Sequence, residues 1–279
     1  MDYMTFRHPL IVLCIVFLVG IFLCVHELLR MPDGKLHIYF MDVGQADSAL
    51  TVTPSGKQII IDGGRDDTPL AEIARHLPLL DRTIDVLILS HPQLDHMFAF
   101  PSILRRYHVD RILMTGVEYD LPRYHEFLRL VAEQQIPVWI ADPGFDIDFG
   151  DGVTADIVWP PPTLLGSAFK DINNSSIVLR VMYGENVTLF TGDMEEKEER
   201  AVLASGRDVS ATLLKVAHHG SKTSSGTGFL LAVQPNVAAI SCGKNNTYGH
   251  PHAVVLERFE RLRIPVRVTA WEGEIDLEY

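Results

Sequence analysis

The chain has 279 residues, 47% of them hydrophobic and 22% charged, with a formal net charge of −12. That composition suits a globular protein with a full core, and the charge excludes a general electrostatic grip on nucleic acid or on an anionic membrane. It does not exclude a local cationic site, because a bound divalent ion can be the largest charge in its pocket.

Residues 9–25, "PLIVLCIVFLVGIFLCV", are apolar without a break, and "HELL" carries the run to residue 29. The run has no 3.6-residue stripe, and a helix over residues 10–29 would be roughly 30 Å long, enough to cross a bilayer. A cleaved signal peptide and a buried core helix are the competing readings. No small-x-small site follows the run, and leucine precedes both Cys14 and Cys24, so a retained single-pass transmembrane anchor over residues 1–30 is expected. Arg7 on one side faces Arg30 and Lys35 on the other, which specifies orientation only weakly. Cys242 alone remains for the body, so no disulfide can form within it.

Residues 34–279 read as one domain without repeat or linker. "LHIYFMDV", "SALTVT" and "QIIID" are three successive strands; "PLAEIARHL" is a helix and "DVLILS" a buried strand. "FPSILRRY", "RILMT", "RYHEFLRLVAEQQ" and "PVWIA" continue the helix–strand alternation, and "TADIVW", "SSIVLRVMYG" and "NVTLFTG" are strands again. Then come helix "MEEKEERAVLAS", strands "ATLLKVA" and "NVAAISC", helix "HAVVLERFERL", and closing strands "VRVTA" and "EIDLEY". A β-rich start followed by strand–helix units predicts a mixed α/β (α+β) domain with helices covering sheets.

Polar clusters follow the apolar strands: "SHPQLDH", "TGDM", "AHHGSKTSS" and "CGKNNTYGHPH", with "MDVGQADS" and "IDGG" earlier. Strand ends are where ligands collect in such sheets. Six of the twelve histidines, His91, His96, His218, His219, His250 and His252, fall in three of these clusters. A lone histidine is usually a surface or hydrogen-bonded residue; six at strand ends beside aspartates point to a convergent metal site. His91, Asp95 and His96 lie in a loop leaving a strand, where they can turn toward one point. Asp42 and Asp47 can cap a turn around Gly44 or support the site from behind. Ser221, Lys222 and Thr223 can hold a substrate phosphate or begin a helix. His250 or His252 can orient substrate or protonate a leaving group.

His91, Asp95 and His96 resemble the HxHxDH metal motif of the metallo-β-lactamase superfamily, and Asp62 in "IDGG" resembles its preceding aspartate motif. "LFTGD", ending in Asp193, resembles the aspartate that bridges two metals in its hydrolytic branches, and "VAHHGSKTSS" resembles its last histidine motif. The ordered series "DVGQAD", "IDGG", "SHPQLDH", "NNSSIVLR", "LFTGDME", "LLKVAHHGS" and "YGHPH" is similar to the extracytoplasmic hydrolase domain of the ComEC competence family, over about residues 36–270. The resemblance implies a four-layered αββα sandwich holding one or two Zn²⁺ or Mn²⁺ ions. Its ligands would be His91, Gln93, Asp95, His96, Asp193 and His218 or His219, with Asp95 and His250 catalytic. Ser221, Lys222, Thr223 and His252 would meet substrate, and Asp42, Asp47, Asp62, Asn173 and Asn174 would stand behind the ligands. Gln93 stands where the superfamily has histidine, Ala46 replaces a glycine of the common "DVGQGD", and no histidine lies in the 170s. The implied activity is a metal-dependent phosphodiesterase or nuclease, with DNA, including single strands, as a substrate outside the cytoplasmic membrane. The rivals are a hydrolase of small phosphoesters or of lactam- or lactone-like compounds, and a metal-poor binding or regulatory module.

Overall fold

The computed structural model describes residues 9–169 and 171–279. After helix α1 (Pro9–Leu28) the first sheet takes β1 (His37–Phe40), β2 (Ala49–Val52), β3 (Gln58–Ile61), β4 (Thr83–Ile88), β5 (His108–Met114) and β6 (Val138–Ile140). The second takes β7 (Asp146–Asp148), β8 (Val153–Trp159), β9 (Val178–Tyr183), β10 (Asn186–Phe190), β11 (Leu213–Lys215), β12 (Val237–Ile240) and β13 (Val266–Val268), and β14 (Ile275–Glu278) returns to the first. Among the described residues the orders are β14-β1-β2-β3-β4-β5-β6 and β13-β12-β11-β10-β9-β8-β7. In each sheet one half is parallel, β3 to β6 and β10 to β13. Their carboxyl ends are therefore the natural place for a site.

The strands are apolar on both faces because both are covered. Ile59 and Ile61 of β3 join Val86 and Ile88 of β4 in the core between the sheets, where Leu179, Val181, Phe190 and Leu213 meet them. Ile60 and Leu87 point the other way, onto α2 (Thr68–His76), α4 (Phe100–Arg106) and α5 (Pro122–Gln134) through Ile73, Phe100, Ile103 and Phe127. The second sheet turns Leu189, Leu214 and Ile240 outward onto α6 (Glu196–Ala204), α7 (Thr227–Val233) and α8 (Ala253–Arg261) through Val202, Phe229, Leu230, Val255 and Phe259. Each large side chain so buried contributes about 1.5–3 kcal/mol. The layers are helix, sheet, sheet, helix, as expected.

Three local readings differ. Asp95 and His96 sit on a one-turn helix, α3 (Leu94–Met97), rather than in an open loop. β7 is a strand whose aspartates face outward around buried Ile147. The last predicted strand pair is interrupted by α9 (Thr269–Glu272).

The described residues do not support the single-pass transmembrane expectation. The described side chains from residue 11 to 25 are all exposed, but among the described residues no helix is long and apolar enough to cross a membrane. The first eight residues of the expected anchor lie outside the described residues. After α1 the chain is tied down where Arg30 Nη1 donates to the carbonyls of Ala74 (3.2 Å) and Leu77 (3.4 Å).

Candidate metal centre

Five of the polar clusters meet at one edge of the sandwich. β3 ends in Asp62, held in the left-handed region at φ 62°, so that its carboxylate turns back to accept Ser90 N–H (2.8 Å) and Ser90 O–H (2.7 Å). β4 leads into His91, Gln93 and α3; β10 leads to Asp193; β11 leads to His218 and His219. Both of these histidines are left-handed, at φ 52° and 54°, a conformation that costs of order 1–3 kcal/mol per residue. It separates the two adjacent rings: His219 is buried, whereas the His218 side chain is 22% exposed.

Four side chains converge. Asp193 Oδ2 lies 3.3 Å from His96 Nε2 and 3.5 Å from His219 Nε2, and His219 Nε2 lies 3.6 Å from Asp95 Oδ2. Ligands about 2.0–2.1 Å from one tetrahedral ion lie roughly 3.4 Å from each other, so this spacing fits a shared cation. His96 Nε2, His219 Nε2 and Asp193 Oδ1 are buried with no hydrogen-bond partner, an arrangement native proteins avoid unless a ligand completes it. Asp47, His96, Asp193 and His219 each offer a donor atom within 4.8 Å of the others. The residues fit a divalent ion, and imidazole with carboxylate suits zinc or manganese.

The far nitrogen of each imidazole is fixed from behind. His96 Nδ1 meets Asp62 Oδ2 at 2.8 Å. His219 Nδ1 donates to the Ser241 carbonyl at 2.9 Å and lies 3.3 Å from Asp47 Oδ1. Such contacts orient the ring so that Nε2 faces the centre. Asp47 in turn pairs with the ammonium of Lys215, and both are buried. Burial alone would raise the Asp47 and Asp193 carboxyls, yet Lys215 and His219 beside the first, and His96 and His219 beside the second, hold both below their ordinary values. Burial alone would lower the rings, yet Asp193 and Asp62 raise His96, and Asp193 and Asp47 bring His219 up to about 10. Without a cation, protons supply the positive charge this site demands.

The neighbouring half is different in kind. His91 is buried, and its Nε2 lies 3.0 Å from Gln93 Oε1. Its Nδ1 lies 3.0 Å from Ser90 Oγ and 3.3 Å from Ser176 Oγ. Burial first, then repulsion from His96, lowers its pKa to about 4. Asn174 accepts Glu195 N–H and donates to Asp171, and Asn173 Nδ2 lies 3.4 Å from His218 Nε2. His218 also lies 3.9 Å from Asp193 and 3.5 Å from Glu195. On the rim, Lys222 and Thr223 are exposed, and Ser221 Oγ and Thr223 Oγ1 lie 3.0 Å apart. His252 Nδ1 accepts Lys222 N–H at 3.1 Å, and the His250 ring packs 6.2 Å from that of His219. Asp42 is not brought to the centre: it is exposed and its carboxylate is 3.5 Å from Gly44 N, capping its own turn.

Sequence reasoning missed Lys215, Ser90, Ser176 and Gln45. Lys215 carried a signal, a charge inside the apolar strand "LLKVA" on the same face as inward Leu213. The serines carried none, since their role depends on which strands become neighbours.

The metallo-beta-lactamase superfamily model matches residues 41–244. The chain is 29% identical to ComE operon protein 3 of Bacillus subtilis over 95% of its own length and 35% of that protein. It is 32% identical to competence protein ComA of Neisseria gonorrhoeae over 88% of its length and 32% of that protein. It thus spans about a third of the curated relatives it matches. Among solved structures, the metallo-beta-lactamase fold protein YhfI of Bacillus subtilis superposes with a TM-score of 0.56 at 11% identity, covering 86% of this chain and 99% of that one. Fold, motif order and these matches agree: the chain belongs to the metallo-beta-lactamase superfamily.

Proposed function

We propose that this protein is a metal-dependent phosphodiesterase that cleaves DNA or a related phosphodiester. The observation that carries the reading is the meeting of His96, His219, Asp95 and Asp193 around buried atoms that lack partners. These four would hold the cation, with Asp62, Ser241 and Asp47 fixing the two rings. A bound divalent ion supplies Lewis acidity and an activated water at neutral pH. Asp95, part-exposed at the mouth with its side chain 28% exposed, accepts the proton of the attacking water. Lys222, Ser221 and Thr223 meet phosphate oxygens, and His250 donates a hydrogen bond to an oxygen that gains charge. The similarity to competence proteins supports DNA as substrate.

The test is hydrolysis of single-stranded DNA and of an aryl phosphodiester by the full chain in detergent with Mn²⁺ or Zn²⁺, against Asp193→Asn. With −12 net charge only ~2–4 phosphates would be contacted, giving a salt slope of roughly −1.5 to −3.5 for DNA. No cleavage at verified metal occupancy would overturn the reading.

The reading also places the domain at the outer face of a membrane, attached through the exposed apolar side chains of α1. Exposed apolar surface of that extent calls for a cover. Recovery of the uncleaved chain in the detergent-free soluble fraction would refute attachment.

A further inference from the structure

Gln45 lies in the loop between β1 and β2, buried at 7% exposure. Its carboxamide joins two segments some two hundred residues away in sequence. Oε1 accepts Gly243 N–H at 3.1 Å, and Nε2 lies 3.1 Å from His250 Nδ1. A backbone N–H can only donate, so the amide oxygen must face Gly243. The NH₂ therefore faces His250, and it too can only donate. His250 Nδ1 must then offer its lone pair, and the proton of the neutral ring sits on Nε2.

The surroundings hold this arrangement. A Cβ on Gly243 would come within 2.7 Å of Gln45 N, so only glycine lets the two backbones approach closely enough for the Gln45 contact. Asn246 clamps the His250 backbone from both sides, accepting its N–H at 2.9 Å and donating to its carbonyl at 2.6 Å. The ring stacks on Tyr248 and packs against His218 and His219, with centroids 5.7, 5.8 and 6.2 Å away.

We propose that Gln45 is a positioning residue that fixes His250 as its Nε2–H tautomer, so that the ring presents a hydrogen-bond donor to an anionic substrate oxygen beside the metal centre. The use of that donor rests on the hydrolase reading above; the tautomer does not. A phosphoryl oxygen recognises an N–H and is repelled by a lone pair, so the wrong tautomer would weaken recognition without touching a metal ligand.

The experiment is side-chain nitrogen NMR of the full chain in detergent with Zn²⁺, His250 being assigned by its loss in His250→Gln. Wild type should show the Nε2–H form. Gln45→Glu keeps the shape but replaces the NH₂ by an acceptor, and should put a proton on Nδ1. It should also lower kcat about tenfold or more at unchanged metal content. Should that variant fail to fold, Gln45→Ala should give a mixture of tautomers. An Nδ1–H form in wild type, or a tautomer unmoved in both variants, would overturn the proposal. The expected tautomers without any turnover would overturn the hydrolase reading and leave Gln45 in its role.

Discussion

The two halves of the centre share the segment that follows β4 and differ in what they lack. Around Asp193, His96 and His219, buried carboxylates and imidazoles face one another with unpartnered atoms, and charge is balanced only by protons and Lys215. Around His91, Gln93, Asn173 and Asn174 the polar atoms are neutral and largely satisfied by one another and by Ser90 and Ser176. A cation gains electrostatic energy where it replaces protons and completes buried donors, and gains little where it must displace neutral hydrogen bonds. The charged half should therefore govern metal binding.

The largest effect should come from Asp193→Asn, which removes the carboxylate shared by both rings. Mutating an outer partner of a metal ligand typically costs 10–100-fold in affinity, so loss of the ligand itself should exceed about 100-fold. Asn173→Ala, on the neutral side, should stay below about tenfold on the same scale. Zn²⁺ titration followed by calorimetry compares the two, and equal losses would dissolve the distinction between the halves.

Next in size is the ion pair behind the charged half. Lys215→Met leaves Asp47 buried without its cation, and breaking such a pair by removing one partner costs about 3–5 kcal/mol. Urea unfolding of the metal-free protein should show it, and adding Asp47→Asn should recover most of the loss. Asn174→Ala, which forfeits the hydrogen bond to Glu195 N–H, should cost about 1 kcal/mol. A Lys215 variant as mild as that one would mean the pair is not needed.

What the sequence disclosed divides along similar lines. The layers were legible because Ile59 to Ile61 and Val86 to Ile88 are apolar on both faces and follow one another in a helix–strand rhythm. The residue types that gather in the candidate centre were legible because histidine and aspartate crowd the strand ends in the sequence. His218 and His219 could not be separated by position; only the left-handed backbone at both sends one ring inward and leaves the other at the rim. β7 was hidden by its aspartates, and α7 by Gly226 and Gly228 at its start, residues that depress strand and helix propensity respectively. Gln45 and His250 are paired by tertiary structure alone.

The pH dependence of binding sharpens the contrast. His219 is raised to about 10 and His96 is raised as well, so at pH 7 a cation must displace protons that both rings hold. Proton competition is strongest below the folded pKa and fades as pH rises toward it, so affinity should climb with pH. The slope between pH 6 and 9 should be about tenfold per unit for each proton displaced. His91, lowered to about 4, is already free of its second proton across that range, so a cation bound there would show a flat profile. Calorimetry in buffers of different ionisation enthalpy counts the released protons directly, and a count of zero would place the metal in the wrong half.

The smallest effect, and the one that tests the neutral half alone, belongs to Gln93. Its amide oxygen lies 3.0 Å from His91 Nε2, a contact that serves as an N–H···O bond in the metal-free protein and brings no charge to a cation. Gln93→Ala should then leave one equivalent of Zn²⁺ bound, with affinity changed by less than the roughly tenfold that separates an outer partner from a bystander. Gln93→His replaces the neutral oxygen with an imidazole beside His91 and should add a second equivalent by elemental analysis. Two equivalents in wild type, falling to one in Gln93→Ala, would show instead that the amide is a ligand. The neutral half would then hold metal through His91 and Gln93 together, their 3.0 Å separation opening toward the roughly 3.4 Å of two ligands on one tetrahedral ion.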